Sequence, residues 1–403
     1  MRVIVLGAGV VGVTTAWYLA QTGHAVTLID RADQVASGTS FANAGQLSYS
    51  FTDALARPGF FRRLPSVMLN RDPAIRFRPA ASRDFLRWGS GFLRQCTTAC
   101  ARANTVAVLG LAMRSSILMR ELLARVPLDF SFRSAGKLVL LSSHAELSAA
   151  RAGAEVKRQY GCRTDILVPD DALRLEPALA HMPRKIHGAI WSADDHVGDA
   201  HAFAVQLVVH MQRNAGVECR LGEKVTAIRH YNNTVTGVVT GKSEYDADAV
   251  VVSLGCGSPE LLRPLGIRAA IWPVRGYSVT LPLGEHPPAA SISHTRHRIV
   301  FSRIGQRLRI AGFADFVASQ AFDDAERVAA LMRVARETAP EAAQYDVSDL
   351  QPWGGFRPMT ADSRPLTGST RVRGLYLNTG HGMLGWTLAC ATGEAVAEAI
   401  GAA

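Results

Sequence analysis

The stretch VIVLGAGVVGVTTAWYLAQTGHAVTLIDR, residues 3–31, decides the fold. Its opening VIVLG is a short continuous apolar run, the pattern of a strand buried on both faces of a parallel sheet. VVGVTTAWYLAQTG then carries apolar residues at helical spacing until Gly23 stops it, and HAVTLIDR reads as a second strand. Strand, helix and strand in so short a span make a right-handed βαβ unit with the two strands side by side. Gly7, Gly9 and Gly12 stand between the first strand and the helix. There the first glycine permits a tight turn, the second lets backbone approach a pyrophosphate, and the third lets the helix pack close to the strand. Val10 and Val11 open a helix whose positive end faces the phosphates. Asp30, with Arg31 beside it, closes the second strand, where a carboxylate accepts hydrogen bonds from a ribose 2′-hydroxyl. The motif predicts a bound dinucleotide and by itself leaves FAD and NAD both open.

The following segment SGTSFANAGQLS, residues 37–48, narrows the choice toward a large ring. Its small residues Ser40, Asn43, Ala44 and Gly45, followed by Gln46 and Leu47, allow backbone amides to crowd a flat ligand. Residues 50–185 then read mainly as helix, in RDFLRWGSGFLRQC, TVAVLGLAMRSSILMRELLARV and AELSAARAGAEVKRQYG, broken by the strand-like GKLVLLSS. That stretch reads as an insertion into the sheet domain. DAHAFAVQLVVHMQRNAG returns to helix, VECRLGEKVTAIRHYNNTVTGVVT alternates as strands around an Asn-Asn turn, and ADAVVVSLGCGS gives another buried strand. Residues 270–315 predict antiparallel strands of a separate sheet, closed by the helix DDAERVAALMRVARETAP. The fold class is α/β: a Rossmann-like dinucleotide-binding domain of residues 1–85, 188–268 and 351–403, interleaved with an antiparallel-sheet α+β substrate domain of residues 86–187 and 269–350.

The 403 residues carry 44 Lys+Arg against 34 Asp+Glu, a formal net charge of +10 that suits anionic ligands or acidic headgroups. The arginines are scattered, so nucleic acid is not expected as a partner. RPGFFRRLPSVMLNRDPAIRFRP, residues 57–79, mixes them with aromatics and prolines, and the longer stretch 57–94 suggests a peripheral membrane contact. No apolar run is long enough to span a bilayer, and the expected location is cytoplasmic, with the inner face of the cell membrane as an alternative. The six cysteines contain no CxxC, and HTRH at 294–297 lacks nearby acids, so no metal is expected.

Taken together, VIVLGAGVVGVTTAWYLAQTGHAVTLIDR, TSFANAGQ, GGFRPMTADSRPLTG and LNTGHGMLGWTLACATG resemble the D-amino-acid oxidase superfamily of FAD-dependent oxidoreductases, and within it the bacterial D-amino-acid dehydrogenase small subunits. The chain stops about where its last helix ends, without the further tail of those subunits. The resemblance implies extended FAD beneath the antiparallel-sheet domain. Gly380, His381 and Gly382 would pass beside the flavin, and Met383 and Leu384 would lead into a helix beginning at Gly385, Trp386 and Thr387. That helix would aim its positive end at the flavin edge that becomes negative on reduction. The glycines would be there because side chains would strike the ring. Val225, Gly255 and Gly355 complete the implied cofactor contacts.

In the superfamily the arginine of G-x-R-P holds the substrate carboxylate, which implies that role for Arg357, since two parallel N–H donors match two carboxylate oxygens. The implied reaction is oxidative deamination of a D-amino acid, with hydride passing from Cα–H to flavin N5 and the imine hydrolysing to a 2-oxo acid and ammonia. Electrons would pass on to a quinone or another respiratory carrier. Tyr277 and Tyr49 are candidates for the pocket wall or the amine, and His381 contributes mainly backbone. An oxidase of the same fold acting on glycine, sarcosine or another secondary amine, and a non-catalytic dinucleotide-binding module docking a partner, stay open as alternatives, as does an oligomer.

Overall fold

A computed structural model describes residues 1–78, 82–183, 185–317, 324–348, 350 and 352–402, with the side chains of residues 62 and 63 outside that set. The βαβ reading of the opening stretch holds: strand Arg2–Leu6, helix Val10–Gln21 and strand Ala25–Ile29, with the strands parallel and Val3 beside Val26. Side chains alternate across a strand, so one run of five apolar residues feeds two cores. Val3 and Val5 enter a core with Val26, Leu28 and Val251, packed by helices Val10–Gln21, Ala200–Asn214 and Gly385–Gly401. Ile4 and Leu6 enter the opposite core with Val250, Val252 and Leu375, capped by a three-stranded antiparallel sheet. Each such side chain, taken fully from water, contributes about 1.5–3 kcal/mol.

This sheet has six strands in the order Leu366–Ser369, Leu375–Thr379, Ala249–Val252, Arg2–Leu6, Ala25–Ile29 and Glu218–Arg220, parallel except for the first. The three-stranded sheet is Val225–Tyr231, Thr234–Thr240 and Glu244–Asp246, and its first hairpin turns at Asn232 and Asn233 with φ of 46° and 59°. Positive φ at both turn positions is what a tight hairpin demands, and asparagine tolerates it.

The second large sheet is mostly antiparallel and has nine strands. Its two longest strands, Ile271–Pro282 and Arg307–Val317, pair with each other, and Trp353–Thr360 lies on the outer side of the first. One face of this sheet packs Val279, Leu281, Leu308 and Ile310 on helix Asp324–Thr338. On the opposite face Ser278 and Arg309 reach the segment near residue 43.

Sheet membership does not follow the boundaries drawn from the sequence. Strands Ile75–Arg78, Gly188–Ser192 and Trp353–Thr360 all belong to the nine-stranded sheet. The 28-residue helix Thr98–Arg125, expected within the insertion, shares its core with the parallel sheet through Val108, Ala112, Met119 and Leu122. Short strands entering a mixed sheet give little periodicity to read, and a long helix with apolar residues all round has no single face that names its partner. We infer that the two domains divide along the sheets, with the chain crossing between them more often than the four times those boundaries imply.

The first and last helices approach through small residues. A Cβ on Gly393 would lie 3.1 Å from the Thr14 carbonyl and the Thr15 nitrogen, and the Thr14 hydroxyl donates to the Ala389 carbonyl at 3.0 Å. In an open helix Gly→Ala gains about 1 kcal/mol from propensity, whereas a methyl forced against backbone costs about 1–3 kcal/mol. Gly393→Ala is therefore expected to lower the thermal midpoint. Gly110→Ala, exposed in helix Thr98–Arg125 with nothing within 4 Å, is expected to raise it. Equal shifts in thermal unfolding would remove the claim that this helix contact is at its steric limit.

Candidate active site

At the dinucleotide half of the site, Gly7 has φ 104° and Gly12 sits so close that a Cβ would lie 1.8 Å from the Gly7 carbonyl oxygen. Both glycines are obligatory, as their spacing predicts. Helix Val10–Gln21 begins at Gly9 without a side-chain cap hydrogen bond on that residue and without an acid in its first turn. The Ser40 hydroxyl accepts from the Val10 amide at 3.1 Å, so this predicted contact residue also ties the next segment to the helix start. Asp30 accepts from the Ala8 amide at 2.6 Å and the Ala32 amide at 2.9 Å, one bond per oxygen, which leaves lone pairs for a ribose hydroxyl. Arg31 is exposed beside it. The Ser253 hydroxyl is buried under Gly7 without a protein partner. Uncapped amides, an orphaned buried hydroxyl and an accessible carboxylate fit a dinucleotide.

Segment 37–48 is fastened to the nine-stranded sheet. Thr39 donates to the Phe356 carbonyl at 2.7 Å, Ser278 to the Ala42 carbonyl at 2.6 Å and Arg309 to the Asn43 carbonyl at 3.4 Å. The Asn43 side chain accepts from the Gly45 amide at 2.8 Å, which fixes the turn, and Gly45 has φ 67°. Ala44 lies between them, and Leu47 is fully buried in the core of the parallel sheet. Gln46 donates to Ser291 at 2.5 Å and accepts from the Lys137 ammonium at 3.1 Å; Lys137 also donates to Ser48 at 2.8 Å. The Ser48 amide in turn donates to the Thr387 hydroxyl at 3.0 Å.

Lys137 is 2% exposed, and among the described residues no carboxylate lies within ion-pair distance of it. Burial lowers its pKa to about 8, partly opposed by Asp195. The Asp195 carboxyl is itself pushed up to about 6 by burial, against Lys137 and the bonds from Ser50. Neither residue was singled out in the sequence. A lysine opening the apolar run KLVLL reads as a solvated strand end, and only the fold carries it under Gln46.

At the C-terminal half, Gly380 and Gly382 have φ of 75° and 57°. Their nearest obstacles are the protein's own side chains: a Cβ on Gly380 would lie 2.8 Å from Thr360 Cγ2, and one on Gly382 3.1 Å from the Met359 sulfur. The expected collision with the ring is thus not needed to explain them. His381 turns its ring inward, Nε2 to the Thr392 hydroxyl at 3.0 Å, and burial lowers its pKa to about 3. A neutral imidazole bonded inside the helix leaves only its backbone for a ligand. Helix Gly385–Gly401 starts without a side-chain cap at Leu384 and without an acid in its first turn. Val11 lies 3.8 Å from where a Gly385 Cβ would stand, so the two uncapped helix starts are neighbours. Trp386 is core, its indole donating to the Gly198 carbonyl at 3.1 Å among Phe130 and Phe203, and Met383 is exposed. Gly255 has φ 55° and offers its carbonyl to Thr379 at 3.3 Å, while Val225 is half-buried in the three-stranded sheet.

Arg357 crosses the sheet over Gly276, where a Cβ would lie 2.3 Å from its Nη2. It donates to the Phe313 carbonyl at 2.8 Å, and burial lowers its pKa to about 10 despite Asp315 and Tyr277 nearby. Phe313 has φ 59° at a bulge where the ladder shifts register between Arg275 and Tyr277. Gly355 stands beside Arg357's strand partners, where a Cβ would strike the Trp353 ring. Other arginines here are paired: Arg275 with Asp324 at 2.6 Å, Arg327 with Asp315 at 2.6 Å and Arg309 with Asp199 at 3.4 Å. Arg357 has no such carboxylate among the described residues.

The tyrosines part company. Tyr277 donates to Asp315 at 2.9 Å within the core backed by helix Asp324–Thr338, so its hydroxyl is already engaged. Tyr49 is 2% exposed, its hydroxyl has no protein partner, and burial drives its pKa up, which keeps it a neutral donor.

A family signature described as FAD-dependent oxidoreductase matches residues 2–399. The chain is 39% identical to a D-amino acid dehydrogenase 2 of Ralstonia nicotianae over 99% of its length and 96% of that protein's. It is equally 39% identical to a D-amino acid dehydrogenase of Dechloromonas aromatica, over 99% of this chain and 97% of the relative. Among solved structures, a glycine oxidase from Bacillus cereus superposes with a TM-score of 0.75 at 21% identity, covering 100% of this chain and 95% of its own. An L-proline dehydrogenase from P. horikoshii gives 0.74 at 20% identity, covering 99% and 92%. These two show the fold alone, the α/β architecture with interleaved antiparallel sheet that the sequence predicts. Coverage from the first strand to the last helix, with relatives this similar, places the chain in the FAD-dependent oxidoreductase family.

Proposed function

We propose that the chain is a D-amino acid dehydrogenase: it oxidises D-amino acids to imines that hydrolyse to 2-oxo acids and ammonia, with electrons leaving to a quinone or another respiratory carrier. The observation that carries this reading is Arg357, a half-buried residue whose guanidinium has, among the described residues, one neutral hydrogen-bond partner and no acid within ion-pair distance. A substrate carboxylate supplies the missing charge in the bidentate geometry a guanidinium favours. The D-amino acid dehydrogenase names of relatives at 39% identity support the substrate class. The two helix starts at Val10 and Gly385 and segment 37–48 would hold FAD, which would supply the two-electron acceptor.

The chain's own residues do the positioning. Arg357 holds the carboxylate, and the Phe313 carbonyl holds Arg357. His381 and Tyr277 are engaged elsewhere, so neither is placed to move a proton, and alignment of the Cα–H accounts for most of the rate. The uncapped start of helix Gly385–Gly401 favours negative charge in front of it. Helix Gly59–Met68 and the residue after it expose Phe61, Met68 and Leu69, and helix Arg83–Gln95 exposes Leu86 and Leu93 next in sequence to the exposed Arg87 and Arg94, which supports a peripheral membrane contact. Arg62 and Arg63, part of that expectation, have side chains outside the described residues. Among the described residues no helix is long and apolar enough to cross a membrane.

The purified protein, given D-amino acids with an artificial electron acceptor, is expected to reduce the dye, and the matching L-amino acids are expected to be inert. Absence of flavin bleaching by every D-amino acid tried would overturn the reading. Arg357→Ala is expected to keep FAD and lose ~10²-fold or more in kcat/KM, mainly through KM, because an unpaired buried charge costs about 3–5 kcal/mol. An unchanged KM would show that another cation binds the carboxylate.

Lys137 gives a test that does not need turnover. Its pKa falls from 10.5 unfolded to about 8 folded, so between these values the unfolded chain holds more protons and stability rises with pH. Below pH 8 the cost of burying the charge is fully present. The window corresponds to about 3 kcal/mol. Relative to Lys137→Met, the wild-type protein is expected to gain stability between pH 8 and pH 10.5 in urea unfolding. A constant difference across that range would mean that burial does not lower the Lys137 pKa and that the ammonium keeps its proton in the fold as readily as in the unfolded chain.

A further inference from the structure

Three segments far apart in sequence meet at the edge of the nine-stranded sheet. The short helical turn Pro177–His181 ends in His181, the connection after strand Ile271–Pro282 carries His286, and Glu341 follows helix Asp324–Thr338. His181 Nδ1 lies 2.7 Å and His286 Nε2 3.5 Å from the same Glu341 oxygen. The imidazoles stack with centroids 3.6 Å apart and planes at 15°, and one ligand atom from each of the three residues lies within 4.8 Å of the others. All three side chains are between 35% and 45% exposed, so a hydrated ion can reach them.

We propose that His181, His286 and Glu341 form a binding site for a borderline divalent transition-metal ion, with zinc the natural occupant and water completing the coordination. Two imidazoles and a carboxylate suit such an ion, whereas magnesium and calcium require oxygen. A tetrahedral centre with bonds of about 2.0–2.1 Å holds its ligand atoms roughly 3.3 Å apart. The His181–Glu341 pair at 2.7 Å must then open slightly, the His286–Glu341 pair at 3.5 Å is already near that spacing, and the remaining separation, within 4.8 Å, must shorten, which half-exposed rotamers allow.

The backbone assembles the site without help from these side chains. His286 N–H donates to the Glu341 carbonyl at 3.0 Å, and Gly284 N–H to the Ala342 carbonyl at 3.0 Å. Gly284 is needed for that approach, since a Cβ there would lie 2.2 Å from the Glu341 carbonyl oxygen. From the other side, Glu176, 1% exposed, accepts from the Ala178 and Ala290 amides at 3.3 and 2.7 Å and ties the His181 turn to the connection that bears His286. The ordering cost that weakens most surface metal sites is thus already met. The ion sits beyond the last turn of a 15-residue helix whose first turns hold Arg275 through Asp324 and Asp315 through Arg327. About 22 Å of helix separates the two ends, so its role is to stiffen the substrate-domain edge, away from the reacting atoms.

The test uses the flavin-loaded, chelator-treated protein titrated with zinc, with calorimetry for stoichiometry, thermal unfolding for linkage, and cobalt(II) for its visible absorption bands. One zinc per chain with micromolar affinity, a raised unfolding midpoint and a four-coordinate cobalt spectrum are expected. His286→Ala and the conservative Glu341→Gln should each weaken binding tenfold or more, while flavin absorbance and amino-acid oxidation stay at wild-type levels. Magnesium should leave the midpoint unchanged. No saturable uptake, or uptake undiminished in a His181→Ala/His286→Ala double variant that retains its flavin, overturns the proposal; the second result would place the ion on the cysteines or on the His294–His297 pair.

Discussion

The contact between the first and last helices governs how the two ends of the chain build one site. Gly393 leaves room for the backbone of Thr14 and Thr15, and Gly12 leaves room for the Gly7 carbonyl, so helix Val10–Gln21 is held tightly on two sides. Interiors at crystal-like density transmit small shifts, so displacing this helix moves everything packed on it. Its start and the start of helix Gly385–Gly401 are thereby brought together, neither capped by the side chain of its own N-cap residue and both without acids in the first turn. Two positive helix ends in one place are unfavourable unless something negative lies between them. A dinucleotide with a pyrophosphate at one end and a ring that gains charge at the other is such a group.

The second element of the site works by being held from behind. Segment 37–48 has few side chains of its own with which to fix a conformation, and the nine-stranded sheet supplies them: Ser278, Arg309 and Ser291 reach across, as does the Phe356 carbonyl. Lys137 closes the same system from below by bridging Gln46 and Ser48. The small residues of the segment leave backbone accessible, and the sheet keeps that backbone still. Sheet and loop thus depend on each other, which is why the two domains cannot be cut apart at single boundaries.

This division of labour explains what the sequence could reveal. The βαβ unit, its glycines and the C-terminal glycine loop are local patterns, written in consecutive residues, and the structure returns them where expected. Arg357 is named by a motif, whereas its environment, the Phe313 carbonyl and the bulge that presents it, is not. The strands Ile75–Arg78 and Gly188–Ser192 are short and gain their identity only from partners distant in sequence. Lys137, Asp195 and the His181–His286–Glu341 group are likewise constellations without any spacing that announces them. For Tyr277 the sequence names a candidate but not its partner: the pleat turns its hydroxyl to Asp315 and the helix behind the sheet.

The strain at Phe313 fits the carboxylate-binding role proposed for Arg357. A non-glycine residue at positive φ costs about 1–3 kcal/mol and persists only where the surroundings over-determine it. Here the bulge puts an extra residue between Gly312 and Asp315, so that one strand offers the Phe313 carbonyl to Arg357 and the Asp315 carboxylate to Tyr277 and Arg327. Without the extra residue the strand alternation would be unbroken and the two acceptors could not be dealt to different partners. A neutral carbonyl orients the guanidinium without cancelling its charge. Had the acid fallen to Arg357, it would be better paired in the free protein, and a substrate carboxylate would have to displace an ion pair to bind.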